Sequence, residues 1–430
     1  LSTPSAAIER ATCPFIGLRP FDEPDARWFF GRTEQVAALL RRLGEARFLA
    51  VVGTSGCGKS SLVRAGLIPA LKRGYLAGTG TRWKIAVMRP GGDPFGALAR
   101  HLDRPELLGP QRDRLETLQR SSLGLVESAR RDLDARESLL LVVDQFEELF
   151  RFRREVAGAD EQADAFVKLL LASAEQDEVP IYVVLTMRSD YLGDCAVFRG
   201  LPEALNDAQY LVPVLTRRQL REVIEEPVAS AGAQVAPELV QRLLNDVGQG
   251  LEQELDQLPV LQHALMRTWG EAVGAPELQL KHYWDSGGMS GALNQHAQEL
   301  CHKLSQEDQA LAQRVFQRLT EKEFTGRDIR RPTSFGELLT MTGASEEQLT
   351  RVLGQFQDFL TATPEPPKPP DPPFTDASMI DITHEALIRQ WKELREWAKE
   401  EAQSAQVYVR LDYDASRRGR PWEDPDLTEA

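Results

Sequence analysis

Between Thr33 and Leu43 the apolar residues Val36, Leu39, Leu40 and Leu43 recur at the three-and-four spacing of a helix with one buried face. The pattern then shortens to a β-rich run, Phe48–Val52, which a glycine loop separates from a second helical stretch at Leu62–Leu71. Three further apolar runs, Lys84–Met88, Leu139–Val143 and Ile181–Thr186, are parted by helical stretches. Runs apolar on both faces and alternating with helices predict an α/β fold, a parallel sheet covered on both sides.

Beyond Pro213 the β-runs stop. Arg217–Ser230, Pro237–Val247 and Val260–Ala272 read as helices. Between 300 and 400 three helical segments precede two β-like runs, Phe356–Thr361 and Ser378–Thr383, and Ile388–Ala402 resumes a helix. The two runs are joined by a tract holding Pro364, Pro366, Pro367, Pro369, Pro370, Pro372 and Pro373, which can continue neither strand nor helix. Helices followed by such a hairpin predict a winged helix. The expected organisation is a lead-in at 1–30, a P-loop nucleotide-binding domain at 31–214, a helical domain at 215–299, a winged-helix domain at 300–400 and a C-terminal helical extension at 401–430.

Length supports several subdomains, since 430 residues exceed what one core serves. The net charge of −14 speaks against an autonomous nucleic-acid binder, which needs surplus Lys and Arg to neutralise phosphates. Cys13, Cys57, Cys195 and Cys301 form no CxxC pair, so reduced thiols in a cytoplasmic setting are expected rather than a disulfide framework or a zinc site. No apolar run reaches membrane-spanning length and no secretory leader is visible, and a first residue of Leu rather than Met suggests a piece of a longer polypeptide.

The chemistry concentrates at Gly53-Thr54-Ser55-Gly56-Cys57-Gly58-Lys59-Ser60, which fills every fixed position of GxxxxGK[ST] between a strand and a helix. Glycines let the backbone curl so that successive N–H groups, through Ser61, face phosphate oxygens at a helix N-terminus. Lys59 is expected to reach the β- and γ-phosphates and Ser60 to ligate Mg²⁺. A purely structural glycine turn would not need all of these positions filled. The run Leu139–Val143 ends in Asp144-Gln145-Phe146-Glu147-Glu148, placing a carboxylate at the C-terminal end of a buried strand, where α/β ligands bind. Asp144 is then expected at the metal, with Glu147 or Glu148 orienting or deprotonating water. Past Ile181–Thr186, Arg188 could sense the γ-phosphate or simply pair with Asp190 or Asp194. Arg32, in Phe30-Gly31-Arg32, could pack beside adenine and ribose; Pro259 stands at a helix start; His384 stands where the second hairpin run meets the last helix.

Together these residues resemble the STAND class of AAA+-related signalling ATPases, nearest to the bacterial group called novel STAND NTPase 1. The resemblance runs from Cys13-Pro14-Phe15-Ile16-Gly17-Leu18-Arg19-Pro20-Phe21 to about Trp422, and is most specific in that lead-in, Phe29–Arg32, Asp144–Phe150, Leu258–His263 and Thr383–Trp391. It implies ATP/ADP and Mg²⁺ as cofactors, Pro259 against adenine, Arg188 as first sensor arginine, and His384 on the β-phosphate of ADP in a closed resting state. It also implies self-association on activation, and effector and WD40-type sensor domains that do not appear in this chain. Gly31-Arg32-Thr33 departs from the Gly-Arg-Glu of relatives, so only Arg32 carries over. Gln145 stands where many AAA+ enzymes carry the catalytic glutamate, which implies slow hydrolysis.

Three functions compete: an ADP-closed, ATP-opened switch of bacterial signalling or defence, a winged-helix DNA-binding regulator, and a steadily turning motor. Between 301 and 400 there are 13 basic against 17 acidic residues, and only Arg327, Arg330 and Arg331 cluster, which ranks DNA binding below the switch. Adenine rather than guanine follows from the resemblance alone.

Overall fold

Five strands build the first half of the chain: β1 (Phe48–Gly53), β2 (Trp83–Met88), β3 (Ser138–Val143), β4 (Ile181–Arg188) and β5 (Gln209–Leu211). They pair in parallel in the order β2-β3-β4-β1-β5. In the computed structural model the described residues are 8–9, 13–76, 81–155, 158–247, 257–322, 328–363 and 374–400.

Alternation along buried strands explains the layering. Ala50, Val52, Leu139, Leu141, Val143, Val183 and Leu185 face one core, filled by Phe95, Phe146, Phe166 and Leu170. Their neighbours Leu49, Val51, Leu140, Val142 and Val184 face a second core with Leu39, Leu43, Leu62, Val63 and Leu67. Every residue of β1 and β3 is buried, so a polar substitution on either face would leave a group without water. Fully burying each such Leu or Val contributes about 1.5–3 kcal/mol. The four sequence-predicted strands thus stand within two residues of their expected ends. The fifth, β5, is a three-residue edge strand with no apolar run to announce it.

The chain divides into two compact units, one holding Pro20–Ser230 and the other the described residues before Pro20 and after Ser230. The helix Arg217–Ser230, grouped by its sequence with the helices after it, clusters with the sheet, as does the lead-in turn Glu23–Trp28.

In the second unit, helices Pro237–Asp246, Gln257–Glu271 and Gly288–His302 precede a helix (Gln306–Arg318), a strand (Thr333–Ser334), two helices (Phe335–Thr342 and Glu346–Gln355) and two strands (Leu360–Thr363 and Met379–Ile382). Met379–Ile382 lies between the other two, antiparallel to both. That order and sheet are a winged helix. Its core is aromatic: Trp391, fully buried, meets Phe316 edge-on at 5.0 Å and Phe356 at 5.8 Å.

Two local expectations need correction. Phe356–Phe359 turns rather than extends, because Phe356 and Phe359 both point into the core, and the strand begins only at Leu360. The final helix breaks at Trp391, whose extended backbone ends Ala386–Gln390 before helix resumes through residue 400. The proline tract 364–373 and the extension 401–430 lie outside the described residues.

Candidate nucleotide site

The loop after β1 turns as its glycines dictate. Gly56 and Gly58 adopt φ of +71° and +93°, the left-handed region where a side chain costs energy. A Cβ on Gly53 would lie 2.7 Å from Cys57 Sγ and 3.4 Å from Val212 Cβ, so a side chain there would force Cys57 to move. Arg32, almost fully buried, donates from Nη2 to the Cys57 carbonyl at 3.0 Å and from Nη1 to the Pro213 carbonyl at 2.8 Å. It therefore ties the phosphate loop to the segment after β5. The Lys59 ammonium donates to the carbonyls of Gly53 (3.0 Å) and Thr54 (2.8 Å).

The helix leaving the loop runs through Lys59–Ser61, Leu62–Leu67 and Ile68–Lys72, and its middle segment is a π-helix. Pro69 explains the widening: it has no N–H, and just before it the Ile68 N–H bonds back to the Val63 carbonyl, five residues away.

Asp144 sits at the end of β3, 1% exposed. Its Oδ1 accepts the Ser60 hydroxyl at 2.7 Å and the Thr186 hydroxyl at 2.5 Å, and its Oδ2 accepts Arg64 Nη2 at 2.9 Å. Burial opposes its charge, but Arg64, then Arg89 and the two hydroxyls, outweigh that and hold the carboxyl below its ordinary range. A serine hydroxyl beside a buried ionised carboxylate is an oxygen set suited to a hard divalent cation.

Gln145 follows in a left-handed conformation, φ +57°, uncommon for a side-chain-bearing residue. Its N–H is taken by Thr186 Oγ1 at 3.0 Å. The sharp turn aims the next acids back at the strand ends. Glu147 accepts the Arg188 N–H at 3.3 Å, and its pKa is raised to about 7, chiefly by burial, against the attraction of Lys59. Glu148 instead accepts the Gly91 N–H at 3.1 Å.

Of the sequence-predicted residues, the fold brings Gly53–Ser61, Asp144, Glu147, Glu148, Arg188 and Arg32 to one end of the sheet. Arg188 spends its guanidinium on Asp190, from Nε at 3.1 Å and Nη2 at 2.5 Å. Pro259 and His384 belong to the second unit. Pro259 is half-buried in the first turn of Gln257–Glu271, and His384 accepts the Ala386 N–H on Nδ1 at 3.1 Å. Sequence reasoning missed Thr186 and Arg64. Thr186 was visible as the one aliphatic hydroxyl in the run Ile181–Met187; Arg64 was visible as a charge inside Leu62–Leu71.

A phosphate loop after β1, with β4 inserted between it and the acidic strand β3, defines an AAA+-related P-loop NTPase fold. The chain belongs to the family Novel STAND NTPase 1, which it matches over residues 14–426. No curated protein matches it. Among solved structures, the ORC2 protein of Aeropyrum pernix, in ADPNP–ADP complexes, shares 15% identity with a TM-score of 0.46, over 87% of this chain and 93% of that one. CDC6P from Pyrobaculum aerophilum shares 14% identity with a TM-score of 0.39, over 92% and 100%. No helix among the described residues is long and apolar enough to cross a membrane.

Proposed function

We propose that this chain is a nucleotide-governed switch that binds ATP or ADP with Mg²⁺, closed with ADP and opening or self-associating with ATP. The observation that carries the nucleotide reading is the Ser60–Asp144 hydrogen bond, which joins residues 84 positions apart at the mouth of a complete phosphate loop. Family membership supports the STAND form of the reading.

In this reading Lys59 leaves the loop carbonyls for the β- and γ-phosphates, and the N–H groups through Ser61 hold the phosphate oxygens. Ser60 and Asp144 hold the cation, which when bound neutralises charge on the phosphates. Glu147 is the favoured base, because a carboxyl with a pKa of about 7 can take a proton from water near neutral pH. Glu148 is the alternative. Arg188 must leave Asp190 before it can act on a γ-phosphate. Without a glutamate at position 145 hydrolysis is slow, which suits a timer rather than a motor.

For the switch, Pro259 abuts adenine and His384 donates to the β-phosphate of ADP, which couples the winged helix to the nucleotide. Two conformers with unequal affinity for the two nucleotides then exchange population. Retained ADP in the purified protein, and a change in hydrodynamic size when ATP replaces it, test this reading. An empty site and an invariant size would defeat it.

DNA reading by the winged helix is disfavoured by its own charges. Arg330 is engaged by Asp381 (2.7 Å), Glu385 (3.1 Å) and the Ile382 carbonyl. The second of the paired helices, Glu346–Gln355, opens on two acids, and its Arg351 bonds Asp308. Among the described residues, Arg330 and Arg351 are therefore committed to carboxylates rather than to a phosphate backbone.

A further inference from the structure

We propose that Arg64 is the resident counter-ion of the Asp144 carboxylate, holding it in place before a divalent cation arrives and competing with that cation for it. The proposal rests on the metal reading of Ser60 and Asp144 above and adds a residue that sets how much Mg²⁺ the site demands.

Three observations carry it. Both oxygens of Asp144 are already engaged, Oδ1 by two hydroxyls and Oδ2 by Arg64 Nη2 at 2.9 Å. A cation, or a water on it, must therefore take an oxygen that the protein now satisfies. Secondly, the same guanidinium has another carboxylate in reach: its Nη1 lies 3.3 Å from Oδ2 of Asp22, a half-exposed acid. Arg64 can shift its charge toward Asp22 without entering water, and its buried Nε has no hydrogen-bond partner among the described residues, leaving a donor to spare. Thirdly, Arg64 lies in the π-helical turn, and on the same face the Ser61 hydroxyl accepts the Phe21 N–H at 3.1 Å. The lead-in peptide that carries Asp22 is thus pinned beside the metal site.

The row Asp22–Arg64–Asp144 behaves as a balance. When a cation takes the inner carboxylate, the arginine leans to the outer one. Strengthening the outer arm should lower the Mg²⁺ requirement, and cutting it should raise that requirement. A merely structural arginine predicts something different: damage at either end would disturb the site in the same direction.

The test measures binding of a fluorescent ATP analogue, without turnover, as Mg²⁺ is titrated. Arg64→Gln keeps an N–H donor and removes the charge; its half-saturating Mg²⁺ concentration should fall about tenfold, equivalent to about 1.4 kcal/mol. Its melting temperature should fall in metal-free buffer and recover with Mg²⁺ and nucleotide. Asp22→Asn keeps a side chain able to cap Glu23–Trp28 and removes the outer charge, so its Mg²⁺ requirement should rise about threefold. Shifts of the same sign, or none in either variant, overturn the proposal. If Arg64→Gln does not fold, an unchanged requirement in Asp22→Asn overturns it alone. Parental binding that ignores Mg²⁺, or an Asp144→Ala variant with parental Mg²⁺ dependence, would instead remove the metal site itself.

Discussion

The rings of His263 and His296 lie 5.2 Å apart, centroid to centroid, inside the second unit, and both rest on the ring of Phe359. Burial, then the neighbouring His296 and Arg267, lowers the pKa of His263 to about 3. Burial, then Arg267, lowers that of His296 to about 4. Both values lie below the unfolded value near 6.5, so the unfolded chain binds more protons and stability is complete only above that pH. As pH falls from 6.5 to 4, His296 alone should withdraw about 3 kcal/mol from its unit. Glu147, raised to about 7, acts oppositely on the other unit, whose stability it lowers as pH rises from about 4.5 to 7. Urea unfolding at pH 7.5, 6 and 5 measures this. A second unit equally stable at all three would mean the histidines are not neutral and buried.

If Lys59 reaches the phosphates as proposed, removing its ammonium deletes a charge-assisted contact of about 1.5–3 kcal/mol. Lys59→Ala is expected to weaken ATP binding roughly ten- to a hundredfold by calorimetry. Parental affinity would take away the basis of the nucleotide reading.

Glu147→Gln should preserve ATP binding and slow turnover by about a hundredfold or more, the range of a lost general base. Glu148→Gln should cost less. The parental rate should also rise with pH through about 7, because the base must be deprotonated and its pKa is raised by burial. A rate flat between pH 6 and 8 would shift the role away from Glu147.

On the proposed contact between His384 and the β-phosphate, His384→Ala should release ADP faster, by the loss of a bond to a charged acceptor worth about 1.5–3 kcal/mol, and shift the population toward open or self-associating forms. Stopped-flow release of a labelled ADP with light scattering reads both. Identical release and size in parent and variant would make His384 a structural residue.

What the sequence revealed depended on whether a residue's environment was set locally. β1, β3 and β4 were legible because a strand buried on both faces must be a continuous apolar run, and Asp144 stood out as the acid ending one. The phosphate loop was legible because its glycines are fixed by backbone geometry. β5 was not, since Gln209-Tyr210-Leu211 pairs on one side only and packs little. Arg64 was not, because a basic residue in a helix ordinarily faces water; only its position in an apolar stretch one turn before Pro69 hinted otherwise. Arg188 shows the limit most plainly: the sequence offered both γ-phosphate and Asp190 as partners, and a short-range acid two residues away is the one it meets.

The order of the sheet dictates when the phosphate loop can exist during synthesis. β1 is made before both strands that flank it, β4 and β5, which come from residues 181–188 and 209–211, and the Arg32 bond that secures the loop waits for Pro213, 181 residues later. Until the ribosome has delivered that far segment, Phe48–Val52 is a fully apolar strand with two open edges. Such an intermediate is slow to resolve and prone to pair with the wrong chain. The nascent polypeptide is therefore exposed to mispairing along β1 between the emergence of β1 and that of β5.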